Sequence, residues 1–176
     1  MLSTVPFSDE PEIWVEMFDF PGYSVSNWGN VINSRTGYHI KPTKNTRGIS
    51  IVGLMKNGIQ HKRSVSVLVA TEFVPRPNNR DVFDTPIHLD GDRVNNHYRN
   101  LMWRPLWFAR QYAKQFTDGH QTYDYPLEDV ESGEIYQNSM HVATVNGLLD
   151  SEIYVAMINN TYVWPTGQIF RDAREN

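Results

Sequence analysis

Apolar and polar positions alternate along the first third of the chain and then change period. Tyr23 and Val25 alternate with Ser24 and Ser26, the pattern of a half-buried strand. Asn27-Trp28-Gly29-Asn30 supplies a turn and Val31-Ile32 the start of the return strand. Trp14 to Phe20 opens this module. Ile49 to Leu54 and Ile59 to Arg63 read as a second hairpin turned by Asn57-Gly58, a pair that accepts the two positive φ values of a type I′ turn. Past Ser64 the period lengthens, and Val65, Leu68, Val69 and Phe73 form the apolar face of a short helix. Pro75 to Asp81, with Pro75, Pro77, Asn78 and Asn79, reads as a linker.

A strand then ends at His88, and Asp90-Gly91-Asp92 reads as a tight turn, since Asp offers a side-chain bond to the backbone and Gly a positive φ. Asn95, Asn96 and Asn100 can tie an irregular loop through side-chain bonds to the main chain. Leu101 to Trp103 is a second short strand. Pro105 takes the first position of a helix, where its missing N–H costs nothing. That helix, Leu106 to Phe116, carries Trp107, Phe108, Tyr112 and Phe116 for core packing, and an exposed Trp107 would be a partner anchor.

The rest reads as hairpin, two helices, strand. Tyr125 to Val130 pairs with Glu134 to Gln137 across Glu131-Ser132-Gly133. Asn138-Ser139 caps a helix that Gly147 stops, Asp150-Ser151 caps a second helix to Ile158, and Tyr162 to Arg171 is the last strand. Ile153, Ala156 and Met157 share one helical face and should bury, while Glu152, Tyr154 and Val155 point elsewhere. The fold class is α+β. A polar tail covers 1–12, a β-rich module 13–75, a strand-loop-strand-helix core 76–116, and the hairpin with two helices 117–176.

Composition narrows the function. The chain has 176 residues, 40% of them hydrophobic, enough for a packed core. No apolar run is long enough to span a membrane, and the N-terminus does not read as a secretory signal, so an intracellular protein is expected. There is no Cys, which excludes disulfides and thiolate metal sites. Net charge is −4, unusual for a free-standing DNA binder, but its distribution is uneven. Residues 20–71 hold no Asp or Glu and carry Arg35, Lys41, Lys44, Arg47, Lys56, Lys62 and Arg63. Residues 117–170 hold no Lys or Arg and carry Asp118, Asp124, Glu128, Asp129, Glu131, Glu134, Asp150 and Glu152. The basic front suits nucleic acid or another polyanion. The acidic back repels phosphate and suits a protein partner, with Asp150, Glu152, Tyr154 and Val155 as the contact set.

His88, Asp90, Gly91, Asn96, Asn100, Leu101 and Trp103 stand at spacings that resemble the ββα core of HNH nucleases, most closely the HNH homing endonucleases of phages and mobile introns. Gly22-Tyr23-Ser24-Val25-Ser26-Asn27-Trp28-Gly29-Asn30-Val31 resembles the module that precedes such cores, and 117–176 resembles their C-terminal helix-turn-helix module. The resemblance implies His88 as general base, weak or vestigial here, and Asn96 and Asn100 as loop-holding positions. It also implies metal ligands at the residue before that His and on the following helix. Those positions hold Ile87 and Ala109, and neither can bind a hard cation. A substitute set would be His88, Asp90, Asp92 and His97. In the helix resembling the family's V-H-R-L-V-A segment, Ser66 and Val67 replace the usual His and Arg, removing a polar contact surface.

The expected function is therefore an HNH homing-endonuclease-like protein with a degenerate site. It would be repurposed as a nucleic-acid-contacting accessory or subunit that docks on a protein, in a phage assembly within the host, with no cofactor. The alternative is an active enzyme that nicks DNA with Mg²⁺ or Mn²⁺ through a rearranged site. A third reading is a purely structural protein.

Overall fold

The computed structural model describes residues 10–118 and 122–174. Most of the expected polar tail, 1–9, lies outside the described residues. Two compact units form. The first draws on Met1–Pro75 and Arg93–Leu101, the second on Arg76–Asp92 and Met102–Asn176. The loop of the central core counts with the first unit, and the rest of that core with the C-terminal stretch. The elements are small sheets of two or three strands and short helices, an α+β fold.

In the first unit, β1 (Trp14–Glu16), β2 (Tyr23–Ser26) and β3 (Val31–Asn33) form one sheet in that order. β4 (Thr43–Lys44), β5 (Ser50–Lys56) and β6 (Ile59–Ser64) form another. Asn57 and Gly58, at φ 53° and 78°, turn β5 into β6 as their dipeptide demands. α1 (Val65–Phe73) buries Val65, Leu68 and Val69. Ser64 stands at its cap position, but its hydroxyl pairs with the Ser66 hydroxyl (2.8 Å) instead of capping a backbone N–H. Ser66 is buried and Val67 exposed. Residues 98–100 form a single 3-10 turn beside α1, with Phe73 against Tyr98.

In the second unit, α2 (Leu106–Lys114) packs on β7 (Thr85–His88), which belongs to a two-stranded sheet with β8 (Leu101–Arg104). Pro105 caps α2 from just outside rather than filling its first turn, and the helix ends two residues before Phe116. β9 (Leu127–Asp129) lies between β10 (Ile135–Tyr136) and β11 (Phe170–Asp172). α3 (Ser139–Asn146) begins as expected, with the Asn138 side chain accepting the His141 N–H at 2.8 Å, and ends on Gly147 in the left-handed conformation.

Two expectations for this unit need correction. α4 (Asp150–Ile158) is capped by Leu149, not by Asp150-Ser151, and Asp150 is only 1% exposed. The cause is packing: Leu149 is drawn into a cluster with Ile87, Phe108 and Tyr112, so the helix starts inside the core. The Asp150 N–H then donates to the Gln115 side-chain oxygen (3.1 Å). The long last strand is also absent. Val163 and Gln168 make an isolated bridge around a turn holding the cis Trp164-Pro165 bond, and only Phe170–Asp172 is strand. Pro165 has no N–H for a ladder, which disfavours a continuous strand through it. The buried face of α4 is as expected, with Ile153 and Ala156 buried and Met157 packed on the same cluster.

Candidate functional site

β7 carries the position where the nuclease resemblance calls for a metal ligand. Ile87 is 3% exposed and packs with Phe108, Tyr112 and Leu149, and Ala109 lies partly buried on the same cluster. Burying an isoleucine side chain stabilises by roughly 1.5–3 kcal/mol. The position is thus committed to the core. His88 ends the strand and is itself buried. The turn after it forms as its residues require. The Gly91 N–H donates to the His88 carbonyl (3.0 Å), and Asp90 Oδ1 accepts the Asp92 N–H (2.8 Å). Gly91 has φ 76°, and a Cβ there would sit 2.5 Å from the Phe116 ring.

Arg104 closes this half of the segment. Its guanidinium donates to the neighbouring Trp103 carbonyl (3.0 Å) and to the carbonyls of Asn146 (2.9 Å) and Gly147 (3.0 Å), the latter two at the C-terminal end of α3 where carbonyls lack helical partners. Burial pushes it down to about 10, so it stays charged at neutral pH. The Tyr112 hydroxyl donates to the Leu89 carbonyl (2.9 Å), and burial holds its phenol well above the usual range. No local pattern marks the contact of Arg104 with α3, because Asn146 and Gly147 lie more than forty residues away.

The loop of the first unit is tied by asparagines. Asn96 Nδ2 donates to the Val94 carbonyl (3.0 Å) and Asn100 Nδ2 to the Asn95 carbonyl (2.8 Å), both side chains being buried. The hairpin of the Gly-Tyr-Ser-Val-Ser-Asn motif grips the same loop. The Tyr98 N–H donates to the Asn27 carbonyl (2.9 Å). Gly29, at φ 90°, comes so close that a Cβ there would lie 2.8 Å from Asn96 Cβ. His97 Nδ1 accepts the Arg99 N–H (3.3 Å), and its Nε2 lies 3.8 Å from the Glu10 carboxylate. Burial, more than its charged neighbours, holds the His97 imidazole below its ordinary range. Among the described residues no three His, Asp or Glu side chains gather where they could hold a metal ion. Of the substitute set, His88, Asp90 and Asp92 belong to the second unit and His97 to the first.

The seven cations of the basic front are all exposed, and none has a carboxylate within ion-pair distance among the described residues. Two converge. Lys56 Nζ and the Arg63 guanidinium lie 5.6 and 5.2 Å from the centre of the Phe20 ring, with His61 edge-on at 5.9 Å. They line an open cleft of about 490 Å³ with Asp19, Asn57 and Ile59. Strand alternation puts Arg63 and His61 on one face of β6 and Lys62 on the other. Arg47 meets a further cation, since Arg93 Nη1 donates to its carbonyl (2.6 Å). Sequence reasoning missed Phe20, His61 and Arg93. The alternation of β6 could have supplied His61, whereas Phe20 and Arg93 arrive through long-range packing.

On α4, Tyr154 and Val155 are exposed and Glu152 is half-buried, its carboxyl pushed up by that burial. Asp150 is buried and drops out of the expected contact set.

No family model matches the chain. It is 33% identical over 90 residues to the uncharacterized HNH endonuclease L245 of Acanthamoeba polyphaga mimivirus, covering 51% of this chain and 26% of that protein. It is 31% identical over 109 residues to the uncharacterized HNH endonuclease L247 of the same virus, covering 62% and 27%. The chain thus spans about a quarter of the length of the curated relatives it matches. Its fold is similar to that of the HNH homing endonuclease I-HmuI, a protein that binds and cleaves DNA. The TM-score is 0.52 at 20% identity, over 91% of this chain and 97% of that one. In sequence the chain is similar to proteins named HNH endonucleases, and in fold to an HNH homing endonuclease. No described helix is long and apolar enough to cross a membrane.

Proposed function

We propose that this HNH homing-endonuclease-like chain binds nucleic acid through its first unit and does not cut it. The observation that carries the reading is the set of seven exposed cations without carboxylate partners, two of them converging over Phe20. Such a surface releases counterions on meeting phosphates, and that release is the sequence-independent share of nucleic-acid affinity. I-HmuI both binds and cleaves DNA. Of these two activities, the exposed cations support binding, whereas the expected metal-ligand positions hold Ile87 and Ala109. Ile87 and Ala109 do not fit a divalent ion, and without one the transition-state phosphate has no Lewis acid. A His base alone contributes only about 10²–10⁴-fold.

The second unit then serves as a docking module on a protein, in an assembly inside a virus-infected cell. Its acidic composition and the exposed Tyr154, Val155 and Ile158 on α4 support a basic partner surface. Fluorescence anisotropy of a labelled duplex titrated with the full chain tests the binding claim. The expected result is an affinity that falls steeply with salt, and no binding at low salt refutes it. Loss of a co-purifying protein in a folded Tyr154→Ala variant is the expected result for docking, and an unchanged complex refutes that surface.

A further inference from the structure

The second unit carries a surface that the basic front does not explain. On α2, Trp107, Arg110, Gln111 and Lys114 follow one another at helical spacing and are all exposed. They stand opposite the face that buries Phe108 and Tyr112. Trp107 is 50% exposed, and one of its faces is taken by Trp164, at 5.2 Å between ring centres and 30° between planes. Trp164 in turn stacks on Phe83 at 6.0 Å and 25°. Three rings thus form a ladder whose outer end is half open. Beyond that end, by the rise of a helix, Arg110 and Lys114 lie about 4.5 and 10.5 Å along the axis. Neither has a carboxylate within ion-pair distance among the described residues, in a part of the chain where acidic residues otherwise dominate.

A rigid, half-open indole with cations spaced along one line is what an unpaired nucleic-acid strand requires: a ring face for a base, and positive charge for the phosphates that follow. A duplex cannot use it, because its bases are already stacked on one another. An acidic peptide would meet the cations but leave the ring ladder without a role. We propose that the outer face of α2, with Trp107 at its end, is a single-strand contact in which a base stacks on Trp107 and Arg110 and Lys114 hold the adjoining phosphates. The site lies in the other unit from the Lys56 and Arg63 cleft and does not rest on it.

The test uses the full chain and a short labelled oligothymidylate, followed by anisotropy and by quenching of tryptophan fluorescence. Stacking on an aromatic ring is worth about 1–3 kcal/mol per base, so Trp107→Ala should weaken single-strand binding about 5- to 150-fold, while Trp107→Phe retains most of it. Arg110→Gln with Lys114→Gln, both exposed and safe for folding, should lower the single-strand salt slope by about 1.4. Duplex affinity should not change in either variant, which separates this surface from the first unit. Unchanged oligothymidylate affinity in variants that circular dichroism shows to be folded overturns the proposal. So does a Trp107-dependent affinity for polyglutamate without one for oligothymidylate, which would make the occupant an acidic polypeptide.

Discussion

Replacing Lys56 and Arg63 together with glutamine removes the two cations that converge over Phe20 and keeps a polar, uncharged side chain at each position. If each neutralises one phosphate, the slope of log affinity against log salt should become shallower by about 1.8, from roughly 0.9 per contact on duplex DNA. Between about 50 and 200 mM salt, a fourfold change, the affinity gap between wild type and variant should then narrow about 12-fold. The fold should survive, because each cation–ring contact at an exposed site is worth only about 0.5–1 kcal/mol. Lys62, on the opposite face of β6, provides the comparison: Lys62→Gln alone should change the slope by at most about 0.9. The assay is anisotropy on one labelled duplex across a salt series, with circular dichroism on each variant. A folded double variant with the wild-type slope would refute the assignment of the cleft to phosphate.

Ile87→Asp should not restore a metal site but should destabilise the second unit by about 3–5 kcal/mol, because the new carboxylate is buried among Phe108, Tyr112 and Leu149; urea unfolding measures it, and unchanged stability would contradict the packing. Gly29→Ala should cost about 2–4 kcal/mol in the same assay, from the positive φ together with the 2.8 Å approach to Asn96. Glu152→Gln should stabilise the chain at pH 7 and lose that gain near pH 4. Burial raises the folded-state value of Glu152, so the penalty for its charge is absent below the unfolded value and grows as pH rises through the folded one. An equal gain at both pH values would show that burial of the charge is not the cause.

Features set by neighbouring residues were legible in the sequence. Asn57-Gly58 turned its hairpin, Asn138 and Gly147 bounded α3, and Asp90-Gly91-Asp92 made its turn, because each bond joins residues a few positions apart. The spaced motif from His88 to Trp103 was equally readable and led to the right fold class. What failed was set by distant partners. Asp150 has the chemistry of a cap, but Leu149 is pulled into the core by Ile87, Phe108 and Tyr112, and that burial outweighs about 1 kcal/mol of capping. Arg104 reads as an ordinary strand cation until Asn146 and Gly147 are folded over it. The cleft was half legible: the cations could be counted, but not that Phe20 would lie beneath Lys56 and Arg63.

The claim that this HNH-like scaffold binds DNA without cutting it is tested most directly by incubating the full chain with supercoiled plasmid in Mg²⁺ or Mn²⁺. Mobility shift and strand nicking are then read from the same samples. The expected result is a salt-sensitive shift with no conversion to open circles. Nicking that depends on the metal and disappears in His88→Ala would contradict the account.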